Sequence, residues 1–465
     1  MTGININLLD PLIAEEQAAF AHAHPRSEAL HAENRRHFLY GAPSHWMRRW
    51  AGGYPITLSE AKGAHLRDVD GHSYVDFCLG DTGGMCGHGA GPVAAAVHRQ
   101  MLAGATTLLP SEDAAWVGRE LTRRFALSHW TLTTSATDAN RAAIRIARMI
   151  TGRQKVLVFN GCYHGNVEES LVALKDGAIV MRRNVHPNGV DHATISTVIE
   201  FNDGDALERA LAGGDVACVL AEPFMTNCGM VPPAPGYLTL LRAATRRTDT
   251  LLVIDETHTL SSGPSGYAHG AGLAPDMLVV GKAIAGGIPA GLLGIAEDIA
   301  ERVWQVAPLV NPVVGQNASM GFGSTLAGSP LAVAAMRAAT EHMLTEANFA
   351  HMTRLAGQLA AGIRDAIRDH DLPWHVTQIG ARAEYMFMPD VPRNGSMALA
   401  SADAKLEALI HVYFMNRGVL VTPFHNMLLM CPDTTADDVA EHTRVFRDFV
   451  RWIEDRGVRA PLGPR

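Results

Sequence analysis

The stretch LLVIDETHT, residues 251–259, and the stretch DMLVVGKAIAGG, residues 276–287, share one pattern. Each contains an apolar run of strand length, and each run is followed by a group that can ionise. Asp255 follows the first run and Lys282 follows the second. Neighbouring parallel strands end at the same edge of a sheet, where ligands bind in α/β proteins. We therefore expect Asp255 and Lys282 to face one crevice.

The chain around these stretches alternates in the same way. From about residue 83 to residue 328, apolar runs of strand length alternate with segments of helical periodicity, which predicts a parallel sheet covered by helices. After residue 328, long helices are followed by short strands. We expect an α/β protein with a large domain at 83–330. A smaller α/β domain is expected from the N-terminal segment 1–82 and the C-terminal segment 331–465.

Composition limits the class of protein. The chain has 465 residues, 47% of them hydrophobic, and a formal net charge of -8. It therefore has the composition of a globular enzyme and no global attraction for nucleic acid or an anionic membrane. The six cysteines lack metal-binding spacing, and no apolar run is long enough to span a membrane. We expect small-molecule partners, no metal, and a cytoplasmic location.

Lys282 and Asp255 suggest a specific chemistry. A lysine amine in a pocket can form a Schiff base with a carbonyl cofactor, and a carboxylate can keep a pyridinium nitrogen protonated. Each residue also has an ordinary interpretation, because Asp255 could cap a helix and Lys282 could be a surface amine. Their positions at two strand ends favour the cofactor interpretation.

Two further segments could complete such a site. Ser135, Ala136 and Thr137 lie at the start of a predicted helix, where backbone N–H groups can hold a phosphate. The same pattern also starts many ordinary helices. Tyr163 and His164 follow the strand KVLVF, residues 155–159, and an aromatic ring there can stack on a flat cofactor.

These motifs resemble the class III aminotransferases of the fold type I pyridoxal-phosphate enzymes, in particular their glutamate-1-semialdehyde aminomutase-like branch. The resemblance runs from about Tyr40 to the end of the chain. Its motifs are GAHLRDVDGHSYVDF at 63–77, GCYHG at 161–165, LLVIDE at 251–256, VVGKAIAGGIPAG at 279–291 and GSTLAGSPLAVAA at 323–335. It implies a mostly parallel seven-stranded sheet, pyridoxal 5'-phosphate (PLP) as cofactor, and a homodimer with shared active sites.

The resemblance also implies residue roles. Lys282 is implied as the Schiff-base lysine and proton carrier, Asp255 as the partner of the pyridine nitrogen, and Tyr163 as the ring-stacking residue with His164 beside it. Thr325 is implied to reach the phosphate of the neighbouring subunit. The remaining implied cofactor contacts are the phosphate loop Ser135, Ala136 and Thr137 and the polar loop residues Glu222 and Asn227.

The sequence departs from the family at two places. Ala136 stands where the family usually has glycine, so phosphate binding requires a loop with negative φ at that position. Thr257 and His258 follow Asp255 and Glu256, where the family commonly has Val followed by Gln or Met. His258 is expected near the phenolic oxygen of the cofactor, where it either tunes the Schiff base or fills space.

The reaction and the substrate are less constrained. We expect an aminotransferase that moves an amino group from an amine or amino acid to a 2-oxo acid such as pyruvate or 2-oxoglutarate. The alternative is an aminomutase or a racemase. A nucleotide-dependent oxidoreductase is disfavoured because no G-x-G-x-x-G or P-loop motif is present. The expected substrate contacts are Trp46, Arg48, Arg49 and His425. Arg48 and Arg49 could equally be solvated loop charges.

Overall fold

A computed structural model describes residues 2–182, 185–307 and 321–459. The chain divides into two units. The first unit comprises residues 1–90, 347–391 and 400–465, and the second comprises residues 91–346 and 392–399. The second unit contains Asp255 and Lys282.

The strands, in chain order, are β1 (Leu58–Lys62), β2 (His65–Asp68), β3 (Ser73–Asp76), β4 (His129–Thr133), β5 (Lys155–Phe159), β6 (Val172–Lys175), β7 (Ala178–Met181), β8 (Ser196–Ile199), β9 (Val216–Ala221), β10 (Leu251–Asp255), β11 (Met277–Val280), β12 (Gly291–Ile295), β13 (His375–Ile379), β14 (Arg382–Met386), β15 (Val419–Leu420) and β16 (Met427–Leu429).

The α-helices are α1 (Leu9–Ala23), α2 (Pro25–Asn34), α3 (Gly91–Ala103), α4 (Asp113–Phe125), α5 (Ala136–Thr151), α6 (His192–Ile195), α7 (Gly204–Ala212), α8 (Tyr237–Arg247), α9 (Gly266–Gly270), α10 (Glu297–Val306), α11 (Pro330–Ala338), α12 (Glu346–Asp369), α13 (Gly395–Ser401), α14 (Ala404–Met415) and α15 (Ala436–Asp455). Short 3₁₀ helices and one π-helical turn, Ala339–Met343, connect some of them.

The second unit is built on a seven-stranded sheet with the order β4-β12-β11-β10-β9-β5-β8 in the described residues. Strand β12 runs antiparallel to both of its neighbours, and the other paired strands are parallel. Every residue of β9, β10 and β11 is buried, because helices cover both faces of a parallel sheet. The predicted α/β fold with a mostly parallel seven-stranded sheet is confirmed.

The first unit contains two smaller sheets. Strands β1, β2 and β3 form an antiparallel meander, and β15 pairs in parallel with β3. Strands β13, β14 and β16 form an antiparallel three-stranded sheet. Helix α15 begins with a capping box in which Thr435 and Asp438 satisfy each other's backbone N–H groups.

The helices of the described residues include none with the length and apolar character that a membrane crossing requires. The six cysteines are all free thiols.

A buried arginine joins distant parts of the second unit. The Arg124 side chain, on α4, is 4% exposed and pairs with Glu120 at 2.8 Å. Its guanidinium also donates to the backbone carbonyls of Pro264, Thr340 and Leu344 at 3.1, 3.0 and 2.7 Å. The adjacent Arg123 pairs with the same Glu120, but its side chain is 69% exposed. The two arginines therefore differ mainly in burial.

Replacing Arg124 is expected to destabilise the protein, because Arg124→Met leaves a carboxylate and three carbonyls without their buried donor. We expect the free energy of unfolding to fall by about 3–5 kcal/mol, measured by urea denaturation. The matched control Arg123→Met removes a mostly solvated partner of the same glutamate and should cost about 1 kcal/mol or less. Equal losses in the two variants would contradict the assigned role of burial.

Candidate active site

Asp255 and Lys282 lie at the carboxyl ends of neighbouring strands. Asp255 is the last residue of β10 and pairs in parallel register with Val279 of β11. The backbone N–H of Glu256 donates to the carbonyl of Val279 at 2.8 Å, which fixes the two strand ends side by side. Lys282 follows β11 as the first residue of the 3₁₀ helix Lys282–Ala285.

The backbone at Lys282 is strained. Its φ is 51°, in the left-handed region that non-glycine residues rarely adopt. Such a conformation costs on the order of 1 kcal/mol or more and persists where the surrounding structure requires it. Here it allows the chain to turn sharply from a buried strand while the lysine side chain stays at the strand end.

The carboxylate of Asp255 is buried and accepts three hydrogen bonds. One oxygen, Oδ2, accepts from Nδ1 of His164 and from Nδ2 of Asn140, each at 2.9 Å. The other oxygen, Oδ1, accepts from the backbone N–H of Thr257 at 3.0 Å. His164 itself is 1% exposed. A charged carboxylate in the protein interior requires such compensation.

Asp255 and His164 stabilise each other's charged forms. Burial alone would raise the pKa of Asp255, but the hydrogen bond and positive charge of His164 lower it, with help from Thr257 and Asn140. Burial alone would lower the pKa of His164, but Asp255 and Cys162 together raise it. The pair therefore presents an anionic carboxylate at the strand end, as a protonated pyridine nitrogen requires.

His258 lies next to Lys282. Its Nε2 is 2.8 Å from Nζ of Lys282, and the residue is buried at 6% exposure. An imidazole at this distance can accept a proton from the amine or return one. The position is three residues after Asp255, where the sequence departs from the family pattern.

The predicted phosphate loop forms the start of α5. Ser135 is the N-cap, and its hydroxyl accepts from the backbone N–H of Asp138 at 3.2 Å. Ala136 is the first helical residue and is not among the residues with positive φ. The substitution of alanine for glycine is therefore tolerated in this loop, and the helix N-terminus remains available to an anion.

Three glycines allow other segments to pack tightly against this loop. A Cβ at Gly291 would lie 2.4 Å from the carbonyl of Ser135, and a Cβ at Gly281 would lie 2.7 Å from Cβ of Ala136. A Cβ at Gly165 would collide with the side chain of Thr137. Each residue of the loop is thus approached by a glycine.

The N–H groups at the start of α5, the amine of Lys282 and the buried carboxylate of Asp255 lie in one unit. This combination of groups fits PLP.

The other predicted cofactor residues lie in the same unit. Tyr163 is partly buried, and the guanidinium carbon of Arg182 lies 5.2 Å from the centre of its ring. Nδ2 of Asn227 donates to Oε1 of Glu222 at 2.9 Å and to the carbonyl of Tyr163 at 3.4 Å. Burial raises the pKa of Glu222. These contacts join the polar loop to the segment that carries the aromatic ring.

The predicted substrate residues belong to the first unit. There the guanidinium carbon of Arg49 lies 5.4 Å from the ring centre of Trp46 and 5.1 Å from that of Phe424. Nδ1 of His425 lies 3.1 Å from Oε1 of Glu384. The guanidinium carbon of Arg48 lies 5.8 Å from the ring centre of Tyr40 instead. Trp46, Arg49 and His425 thus form one aromatic cluster with Phe424, and Arg48 has a different neighbour.

Thr325 lies in the second unit and is exposed in the single chain.

Asn140 is the main site residue to which the sequence analysis gives no role, although it ends the segment TTSATDAN, residues 133–140. Its position one helical turn after the phosphate loop is the only sequence signal, because its contact with Asp255 spans 115 residues.

Comparison with known proteins identifies the family. The model of the class-III aminotransferases matches residues 46–449. A glutamate-1-semialdehyde 2,1-aminomutase of an Anaeromyxobacter species is 33% identical over 368 residues, which are 78% of this chain and 83% of that protein.

Solved structures agree with this comparison. A glutamate-1-semialdehyde aminomutase from Pseudomonas aeruginosa is 54% identical, with a TM-score of 0.94 and coverage of 96% of this chain and 98% of that one. A variant of an aminomutase from the same organism, 53% identical, was solved in complex with PMP. A β-phenylalanine aminotransferase from Variovorax paradoxus is 25% identical, with a TM-score of 0.83 and coverage of 96% and 98%. This chain is a PLP-dependent enzyme and belongs to the class-III aminotransferase family.

Proposed function

We propose that the enzyme is an aminomutase that moves the amino group of glutamate-1-semialdehyde from C2 to C1. The observation that carries this proposal is the 54% identity, over nearly the whole of both chains, to a glutamate-1-semialdehyde aminomutase. The curated relatives carry the same name. The leading interpretation of the sequence is an aminotransferase with pyruvate or 2-oxoglutarate as acceptor, and the alternative is an aminomutase or a racemase. The names of these relatives support the aminomutase better than the aminotransferase.

PLP, when bound, supplies a carrier for the amino group and an aromatic ring that withdraws electrons from the reacting carbon. Asp255 is proposed to accept a hydrogen bond from the pyridine nitrogen, and His164 keeps that carboxylate ionised. The N–H groups at the start of α5 bind the phosphate. Tyr163 packs on the ring, and the Glu222–Asn227 pair positions the tyrosine backbone.

Lys282 is proposed to hold the cofactor when it is in the PLP form and to move the proton at the reacting carbon. For that second role its Nζ must lose and regain a proton. His258, 2.8 Å away, is the group that can take this proton and return it. The histidine that replaces the family's usual residue would therefore add a second acid–base group beside the lysine.

The amino shift and transamination differ in whether a second substrate is consumed. Glutamate-1-semialdehyde is 4-amino-5-oxopentanoate, and exchange of its amino and oxo groups gives 5-amino-4-oxopentanoate. Substrate and product have the same atoms and the same oxidation level overall. An aminomutase therefore consumes no second acid, whereas an aminotransferase needs an acceptor for each amino group it removes.

This difference gives the test of the proposed function. The holoenzyme, loaded with PMP, is mixed with excess glutamate-1-semialdehyde without any 2-oxo acid, and the product is followed by NMR. We expect many turnovers per site to 5-amino-4-oxopentanoate, and none above background in Lys282→Ala. An enzyme that forms no 5-amino-4-oxopentanoate, and that removes the amino group of glutamate-1-semialdehyde only after pyruvate or 2-oxoglutarate is added to take the amino group of PMP, would be an aminotransferase instead.

The substrate carries a carboxylate at the end remote from the exchange, and we propose that Arg49 binds it. Arg49 packs on Trp46 and Phe424, where the aromatic rings limit the freedom of its guanidinium. We expect Arg49→Met to raise KM for glutamate-1-semialdehyde about 10- to 100-fold, the loss of one charge-assisted hydrogen bond. Arg48→Met is the matched control and should change KM less than about threefold in steady-state assays. Equal effects in the two variants would contradict the assignment.

The homodimer remains part of the proposal. Thr325 is exposed in the single chain, as a residue that contributes to the phosphate site of a second copy must be. A role for Thr325 within its own chain is the competing interpretation.

A further inference from the structure

We propose that the first unit contains a divalent metal site, suited to Zn²⁺, formed by His24, Asp68 and His72. The proposal departs from the expectation of no metal and does not depend on the proposed function. The candidate ligand atoms are Nε2 of His24, Oδ2 of Asp68 and Nδ1 of His72. They all lie within 4.8 Å of one another.

The three residues come from elements that meet in the N-terminal part of the chain. His24 lies at the junction of α1 and α2, and Asp68 is the last residue of β2. His72 lies in the turn between β2 and β3. Both histidine nitrogens are 3.3 Å from Oδ2 of Asp68. His24 and Asp68 are buried, at 2% and 1% exposure.

The hydrogen bonds of His24 direct its second ring nitrogen at Asp68. Its Nδ1 lies 2.7 Å from the carbonyl of Phe20, which can only accept, so Nδ1 carries a hydrogen. In the neutral ring Nε2 is then bare. That bare nitrogen faces a carboxylate oxygen at 3.3 Å, and two lone pairs at this distance repel each other.

Tyr74 contacts both groups. Its hydroxyl is 2.7 Å from Nε2 of His24 and 2.8 Å from Oδ2 of Asp68. A phenol has one proton, so it can donate to only one of these two acceptors at a time. A proton on His24, a ring N–H of His72 or a metal ion can satisfy the other acceptor.

Three observations favour a metal ion. The two separations of 3.3 Å match the edge of a tetrahedron whose metal–ligand bonds are about 2.0 Å long, as in zinc sites. Two imidazoles and one carboxylate are a ligand set that Zn²⁺ accepts. The His72 side chain is 42% exposed, which gives an ion an entry path from solvent.

The surrounding hydrogen bonds also resemble those of a metal site. Nδ1 of His24 donates to a backbone carbonyl, which fixes the ring with Nε2 directed at the cluster. Oδ1 of Asp68 accepts from the backbone N–H of His72 at 2.9 Å, which orients the carboxylate with Oδ2 toward the two histidines. A bound ion would tie the N-terminal helices to the β2–β3 turn, so its expected effect is on stability.

The test uses the holoenzyme after treatment with a chelator and its removal. Zn²⁺ is titrated by calorimetry, and Co²⁺ by visible absorption, which reports a tetrahedral site. We expect one Zn²⁺ per chain at this site and a rise in Tm on binding. His72→Ala, a change at an exposed side chain, should weaken this binding at least about 100-fold.

His37→Ala is the matched control, because His37 is an exposed histidine of the same unit that pairs with Glu33 at 3.0 Å. It should bind Zn²⁺ as the wild type does. Zinc binding that is unchanged in His72→Ala, or absent from the wild type, would overturn the proposal. Because the test relies on His72, it does not require a variant of the buried His24.

Discussion

A buried pair of opposite charges, Asp255 and His164, is the interaction on which the site depends. Neither group would keep its charge alone, because burial disfavours both charged forms. Together, with Asn140 and the backbone of Thr257, they hold a carboxylate in the anionic state at the end of a fully buried strand. The parallel pairing of β10 and β11 then places Lys282 just beyond the neighbouring strand end. One strand pair thus places a carboxylate and an amine at neighbouring strand ends, where we propose that both serve PLP.

The second constraint is close approach of backbone segments at the start of α5. The phosphate loop can lie against the ends of β11 and β12 only because Gly281 and Gly291 lack side chains there. Strand β12 is antiparallel to both neighbours, and its first residue is the glycine that touches Ser135. The sheet topology and the phosphate site are therefore consequences of the same packing.

The fold could largely be predicted from sequence, because strand periodicity is a local signal. The positions of Asp255 and Lys282 at two strand ends could be predicted in the same way, and their roles toward the cofactor stay predictions. Asn140 could not be assigned a role, because its partner is remote in the chain and only packing of α5 on the sheet joins them. The cluster of His24, Asp68 and His72 has no motif spacing for the same reason. The reaction could not be predicted from sequence patterns either, since amino transfer and amino shift use the same catalytic groups.

The central claim is that His164 is protonated and holds Asp255 as an anion. Nitrogen-15 NMR of histidine-labelled holoenzyme tests it directly, with the His164 signals assigned by their loss in His164→Gln. The account predicts that both ring nitrogens of His164 carry protons at pH 8, well above the ordinary histidine pKa of about 6.5. In Asp255→Asn the ring should become neutral at that pH. A neutral His164 ring in the wild-type enzyme at pH 7 would contradict the account.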